Sequence, residues 1–175
     1  MKKILTEWRN YLISEVAGES PQKFPESVYY AIPAVQLDYV RDNGIINMPT
    51  PQDAQHQKIG VPTCNSYQDA ASHGEVVLEI SGQYLNESGQ YMCTPNSKGS
   101  RVTMKDSSYG SGSGIDSMVD QLGTNIPFTA VNSITFNRKP DVEKLKSAGY
   151  GNLSIALASQ GSEPQTLYTP EEDVN

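Results

Sequence analysis

The strongest fold signal in this chain is the stretch VYYAIPAVQLDYVRDNGIIN, which spans residues 28–47. It opens with aromatic and β-branched residues that favour a strand, and Pro33 ends that strand. Leu37 and Val40 then recur at helical spacing, and Gly44 is typical of a residue that closes a helix. The stretch predicts a strand followed by a short helix, and we expect the folded domain to begin near residue 28.

A second stretch, GVPTCNSYQDAASHGEVVLEISGQYL at 60–85, predicts another extended segment, a helix and a strand. The helical part covers residues 67–73 and ends before Gly74. Residues 75–80 are the clearest strand of the chain, and their apolar run predicts a central strand that is buried on both faces.

The later part of the chain adds three further elements. IPFTAVNSITF at 126–136 predicts a strand after a proline-containing turn, and 153–158 predicts a final strand. A helix is expected over 141–148, because an aspartate opens it and Gly149 follows it. Residues 81–114 are weakly patterned, and the low-complexity SSYGSGSG within them predicts a flexible loop, since no lysine follows the glycines to form a phosphate-binding loop.

The sequence divides into four parts. Residues 1–15 carry one apolar stripe at helical spacing and predict an amphipathic leader or docking helix. Residues 16–27 are rich in proline, glycine and small polar residues, which predicts a linker. The domain is expected over 28–158. Residues 159–175 are expected to form a solvated acidic tail, because four acidic and no basic residues follow Lys146.

Composition limits the functions that this chain can have. Its 175 residues are enough for one domain with a real core, although only 37% are hydrophobic. A net charge of −7 argues against a general nucleic-acid binder, which needs a basic face. That argument is weaker for the domain itself, because much of the charge lies in the tail. No apolar run approaches the length of a membrane span, so we expect no membrane partner.

Familiar catalytic motifs do not occur in the sequence. It has no HExxH, CxxC, GxSxG or GxGxxG. His56 and His73 are its only imidazoles, and neither has the spacing of a metal ligand pair. Cys64 with a histidine could form a thiol–imidazole pair, but nothing in the spacing supports it. We therefore predict no metal site.

The order of the three blocks resembles ADP-ribosyltransferase-like domains, a family that includes RNA 2′-phosphotransferases and many phage and toxin relatives. Five residues of the first block fall in register with the opening strand–helix unit of that family: Pro33, Leu37, Val40, Gly44 and Ile45. Block 60–85 is similar to the second unit of the family, and block 126–136 is similar to a late strand.

The resemblance implies an α+β fold with a split, mostly antiparallel sheet and short helices, which would hold NAD in a cleft. The residue that holds the adenosine ribose would be Tyr30, where the family often has histidine. The supporting Ser or Thr would be Thr63, with Ser66 as the alternate. The carboxylate near the nicotinamide ribose would be Asp120. Glu79 is the alternative acid, on a buried strand where it would face outward at the sheet edge.

Two classes of function are open at this point. The resemblance implies a phage-type protein that transfers ADP-ribose from NAD to a host target, acting in the host cytoplasm. The hydrophobic-x-Glu motif that ends 1–15 resembles the leaders that direct proteins into phage heads. The alternative is a virion structural or accessory protein without catalysis, docked on a virion partner through its N-terminal helix, with Tyr30 a core or groove aromatic and Asp120 an ordinary surface residue. A small anti-defence protein is a third hypothesis.

Overall fold

The structure is a computed structural model that describes residues 22–47, 60–97, 99–105, 124–160 and 163–171. The described residues form an α+β domain of ten strands and a few short helices. In chain order the strands are β1 (Ser27–Ile32), β2 (Ile45–Asn47), β3 (Val61–Cys64), β4 (Val76–Ser81), β5 (Tyr91–Pro95), β6 (Gly99–Met104), β7 (Thr124–Ile126), β8 (Val131–Phe136), β9 (Ser154–Leu157) and β10 (Gln165–Tyr168).

The helices are short, and their ends follow local sequence chemistry. They are α1 (Leu37–Asn43), α2 (Tyr67–Ala71), α3 (Gly82–Glu87) and α4 (Val142–Leu145), with 3-10 turns at Ala34–Gln36 and Phe128–Ala130 and a wider turn at Lys146–Tyr150. Gly44 closes α1 with φ of 83°, as predicted. The side chain of Asp141 accepts the backbone N–H of Lys144 and so caps α4, also as predicted.

Eight strands form one sheet in the order β10-β9-β8-β4-β1-β3-β6-β5, and β2 pairs with β7 in a separate ribbon. Neighbouring strands run antiparallel, except that β8 and β9 are parallel in the described part of the chain. The predicted α+β class and the mostly antiparallel sheet are therefore confirmed. β4 lies between β8 and β1, at the centre of the sheet.

The sheet is weakly joined between β1 and β3. β1 pairs with β4 over six residue pairs, and β3 pairs with β6 over four. Between β1 and β3 the register contains one pair, Tyr29 with Cys64. Strand pairing is thus extensive from β10 to β1 and from β3 to β5, and among the described residues the pair Tyr29 with Cys64 alone joins these two parts of the sheet.

The two faces of the sheet differ in chemistry. Side chains alternate along a strand, so Val76, Leu78 and Ile80 of β4 point to one face and Val77 and Glu79 to the other. The first face packs into the main hydrophobic core, which also contains the following buried residues of the helices, the ribbon and the turns: Leu37, Val40, Ile45, Leu85, Ile126, Ala130 and Tyr150. The second face carries Glu79, but Val77 there is only 4% exposed. The predicted burial of this strand on both faces is confirmed at Val77.

The folded part of the chain is longer at both ends than 28–158. Phe24 lies in the predicted linker but is buried, and its backbone N–H and C=O both bond the side-chain amide of Asn86 at 2.9 and 3.1 Å. The predicted acidic tail contains β10, which pairs with β9. Residues 159–175 are therefore not a solvated tail throughout, because β10 forms the edge strand of the large sheet.

Regular elements form within residues 81–104 although the sequence there is weakly patterned. Helix α3 follows β4 directly, with the Ser81 hydroxyl as its N-cap, and β5 and β6 form a hairpin. Cys64 and Cys93 form no disulfide with each other, since β6 lies between their strands. The predictions for 1–15 and for 107–114 lie outside the described residues.

Candidate functional site

Tyr30 lies on β1 directly opposite Leu78 of β4, so its side chain is on the first face. It is half-buried and packs against the hydrophobic core between the buried residues Val28 and Ile32. This burial raises the pKa of its phenol, because an apolar environment disfavours the charged phenolate. The predicted ribose-binding residue is therefore a partly accessible, neutral hydroxyl that can donate and accept hydrogen bonds.

Thr63 lies on β3, two residues from the core residue Val61 and hence on the same face. It is 2% exposed, and its hydroxyl donates to the carbonyl oxygen of Ser100 at 2.7 Å. The structure thus places Tyr30 and Thr63 on one face, at the point where β1 and β3 separate. Since the Thr63 hydroxyl is committed to the backbone of β6, it can support a site there by fixing β3.

Ser66 does not join these two residues on the strands. It is the N-cap of α2, where its hydroxyl accepts the backbone N–H of Asp69 at 3.2 Å and donates to the Asp69 carboxylate at 2.8 Å. These bonds account for a serine at this position as a helix cap. Asp120 lies outside the described residues, so its predicted role stays a prediction.

The expectation that Glu79 faces outward at a sheet edge is wrong. Glu79 is on the central strand β4, and residues of the two neighbouring strands, β1 and β8, donate hydrogen bonds to it. The hydroxyl of Ser27 on β1 donates to its Oε1 at 2.6 Å, and the hydroxyl of Ser133 on β8 donates to its Oε2 at 2.6 Å. These distances are typical of hydroxyl–carboxylate hydrogen bonds. Among the strands of the described residues, Glu79 is the one acidic side chain.

Tyr29 completes this group, which we call the Glu79 cluster (Ser27, Tyr29, Glu79 and Ser133). Tyr29 pairs with Glu79 across β1 and β4, and its side chain shares the second face with the carboxylate. Burial and then the negative charge of Glu79 raise the pKa of the Tyr29 phenol, against a smaller opposing effect of the hydrogen bond with Ser27. The cluster holds one carboxylate in a fixed orientation beside a phenol that stays protonated.

A cavity of about 470 Å³ lies on the second face, next to the Glu79 cluster. We call it the second-face cavity. Val77 and Thr135 lie on its floor. They pair with each other across β4 and β8, two residues along each strand from the pair Glu79 and Ser133. Its other lining residues come from α2, the ends of the strands and the segment after β9: Tyr67, Gln68, Ala71, Gly74, Glu75, Asn137, Ala158, Ser159 and Gln160.

The sequence pointed to Tyr30, Thr63 and Glu79 but not to the partners of Glu79. Ser27 and Ser133 are more than fifty residues from it in each direction, so only the strand order brings them together. The available signal was a lone acidic residue in an apolar strand. A buried charge there needs donors, and serine residues on neighbouring strands can supply them.

No group of three or more His, Cys, Asp or Glu side chains among the described residues is placed to hold a metal ion. No helix in the described part of the chain is long and apolar enough to cross a membrane. Comparison with protein-family models, curated proteins and solved structures finds no significant match to this chain.

Proposed function

We propose that this chain is an ADP-ribosyltransferase-like protein that binds NAD and transfers ADP-ribose to a host protein. The observation that carries the proposal is the separation of β1 from β3, with Tyr30 and Thr63 on the same face at that point. The sequence blocks that resemble the family supply these two strands. The α+β class and the mostly antiparallel sheet agree with the proposal.

The reaction would exchange one bond at the nicotinamide ribose. A nucleophilic atom of the acceptor attacks C1′, the C1′–N bond to the pyridinium ring breaks, and neutral nicotinamide leaves with the electron pair of that bond. The acceptor loses one proton to solvent or a base. The transition state is oxocarbenium-like, so a carboxylate near C1′ stabilises it electrostatically. In this proposal Tyr30 binds the adenosine ribose by its hydroxyl, and Thr63 holds β3 in place.

The acid must lie on the same side of the sheet as Tyr30. Glu79 lies on the opposite face, because it pairs with Tyr29 while Tyr30 pairs with Leu78. The acid role therefore stays with Asp120, as the sequence resemblance implies. This makes the proposal specific: Asp120→Asn should abolish transfer, and Glu79→Gln should not.

The test is an assay of label transfer from NAD to host-cell proteins, with the full chain and these two variants. We expect transfer by the parent chain and by Glu79→Gln, and a loss of roughly a hundredfold or more in Asp120→Asn, as for removal of a group that stabilises the transition-state charge. Glu87→Gln, on the surface of α3, is the matched control for loss of one negative charge.

Two results would count against the proposal. If the parent chain neither transfers label nor binds NAD, it is not an NAD-using protein. If it binds NAD but transfers none, the non-catalytic virion or accessory protein becomes the better account.

A further inference from the structure

The second-face cavity is separate from the NAD site proposed above. Its floor residue Val77 alternates along β4 with Leu78, which pairs with Tyr30 on the first face. The sheet itself therefore lies between Tyr30 and the cavity. An inference about the cavity stands or fails independently of the proposed NAD site.

The walls of the cavity offer hydrogen bonds, one aromatic ring and one charge. Gln68 and Asn137 supply side-chain amides, and Tyr67 supplies a half-buried ring. Burial raises the pKa of the Tyr67 phenol, so it is a neutral hydroxyl at ordinary pH. Glu75 is the one charged residue among the described residues that line the cavity. A volume of about 470 Å³ is in the range of small-molecule sites.

Glu75 is held in place and still has bonding capacity. Its Oε2 accepts the backbone N–H of Ala34 at 2.9 Å, at the start of the turn that leads into α1. That bond occupies one oxygen of the carboxylate. A carboxylate can accept about four hydrogen bonds, so Glu75 can still receive a donor from a ligand.

The surroundings of the cavity add further negative charge on the same face. Glu79 lies one step along β4 from Val77. Glu163 follows the segment that lines the cavity, and the charges of Glu79 and Glu163 both act on Tyr29. The nearest cations in sequence are Arg138 and Lys139, which follow Asn137 on the exposed turn after β8 and do not line the cavity.

We propose that the second-face cavity binds an alkyl cation, a guanidinium or primary ammonium group on a short aliphatic stem, with Glu75 as its counter-ion. The stem would lie on Val77 and Ala71, and the cation would donate to Glu75 and to the amide oxygens of Gln68 and Asn137. The Tyr67 ring adds a face over which a cation is favoured. Both arginine and lysine side chains and free diamines carry this chemistry.

The test is an NMR titration of the full chain with matched probes that differ in charge. Butylguanidinium and butylammonium carry the cation, and butylurea has nearly the shape of the first without its charge. We expect saturable shifts of the Val77 and Thr135 amides with the cations, and much weaker binding of butylurea. A Gly-Arg-Gly peptide distinguishes a protein side chain from a free small molecule as the source of the cation. If the peptide binds as tightly as butylguanidinium, the ligand is a protein side chain; if the peptide is excluded, it is a free small molecule.

Two substitutions of opposite sign test the role of charge. Glu75→Gln keeps an oxygen that can accept from Ala34, and it should weaken cation binding roughly tenfold or more, as expected for a lost bond to a charged group. Gln68→Glu adds a carboxylate to the same wall and should tighten it. Glu87→Gln, on α3 and outside the cavity, should leave binding unchanged.

The proposal is overturned if butylurea binds as tightly as the cations, or if the shifts map away from Val77 and Thr135. It is also overturned if the cations give no saturable shift while the spectrum shows a folded chain. Equal affinities in Glu75→Gln, Gln68→Glu and the parent chain would exclude Glu75 as the counter-ion.

Discussion

Removing the two serine hydroxyls that bond Glu79 should destabilise the fold by an amount that the geometry allows us to estimate. Each hydroxyl donates to one carboxylate oxygen at 2.6 Å. A hydrogen bond to a charged group contributes about 1.5–3 kcal/mol, and the lower end applies because Glu79 is only half-buried. Ser27→Ala and Ser133→Ala should therefore each lower the free energy of unfolding by about 1.5 kcal/mol. For a chain of this size that corresponds to a melting temperature lower by roughly 3–6 °C.

The double variant should lose more than the sum of the two single variants. With one serine present the carboxylate keeps one donor, whereas with neither it is a half-buried charge that relies on water alone. Replacing all three residues in Ser27→Ala, Glu79→Leu and Ser133→Ala removes the charge together with its donors. We expect this triple variant to lie within about 1 kcal/mol of the parent chain, because an apolar replacement of a satisfied polar group is often nearly neutral.

The assay is urea denaturation followed by circular dichroism, with the free energies compared in a double-mutant cycle. Single variants within about 0.5 kcal/mol of the parent chain would show that the hydroxyls do not hold the carboxylate, since surface substitutions have effects of that size. A triple variant as unstable as the double variant would show that Glu79 is required for the fold itself. Either result would refute the reasoning.

Three further predictions concern the fold. Gly44→Ala should lower the free energy of unfolding by about 1–3 kcal/mol, because only glycine readily adopts a φ of 83° with a ψ of 179°. In addition, an added Cβ would lie 2.7 Å from the carbonyl oxygen of Ile126. An unchanged urea midpoint would contradict this prediction. Thr63→Val should cost about 1–3 kcal/mol by leaving a buried carbonyl without its donor, and Thr63→Ser should restore most of that loss in the same assay. Stability should fall as pH rises above 10, because burial and the hydrogen bond to Asp38 raise the pKa of Tyr150 above its ordinary value of 10.0, so the folded state keeps a proton that the unfolded state releases. Tyr150→Phe should flatten that fall in unfolding experiments between pH 9 and 11.

Much of the fold could be predicted from local patterns in the sequence. The strand–helix unit at 28–47 appears as β1 and α1, and the apolar run at 75–80 appears as the central strand β4. Gly44 and Asp141 mark helix ends because backbone φ and orphan N–H groups impose residue preferences that act locally. Such signals require no knowledge of the rest of the chain.

The elements that were missed depend on contacts between distant residues. β5 and β6 are partly exposed, and buried and exposed residues alternate little along them. Their hairpin is therefore specified more by the pairing of β6 with β3 than by a hydrophobic pattern in the sequence. β10 lies in a stretch whose acidic composition predicts a tail, yet it adds to the edge of the sheet. Phe24 is buried in the core, and the side chain of Asn86 bonds its backbone across 62 residues of sequence. The surroundings of Glu79 were not predictable for the same reason, since its two donors come from β1 and β8, and the sequence does not reveal that these strands flank β4.

The most direct test of the central claim compares NAD binding by two adjacent tyrosines that lie on opposite faces of β1. Tyr30→Phe removes one hydroxyl from the first face and Tyr29→Phe removes one from the second, and each leaves the ring unchanged. The affinity of the full chain and of both variants for NAD is measured by isothermal titration calorimetry. The account predicts that Tyr30→Phe weakens NAD binding roughly tenfold, the effect of one lost hydrogen bond, and that Tyr29→Phe leaves it unchanged. If Tyr29→Phe weakens NAD binding and Tyr30→Phe leaves it unchanged, NAD binds on the second face, and the claim is contradicted. If the parent chain gives no heat of binding, the claim is contradicted altogether.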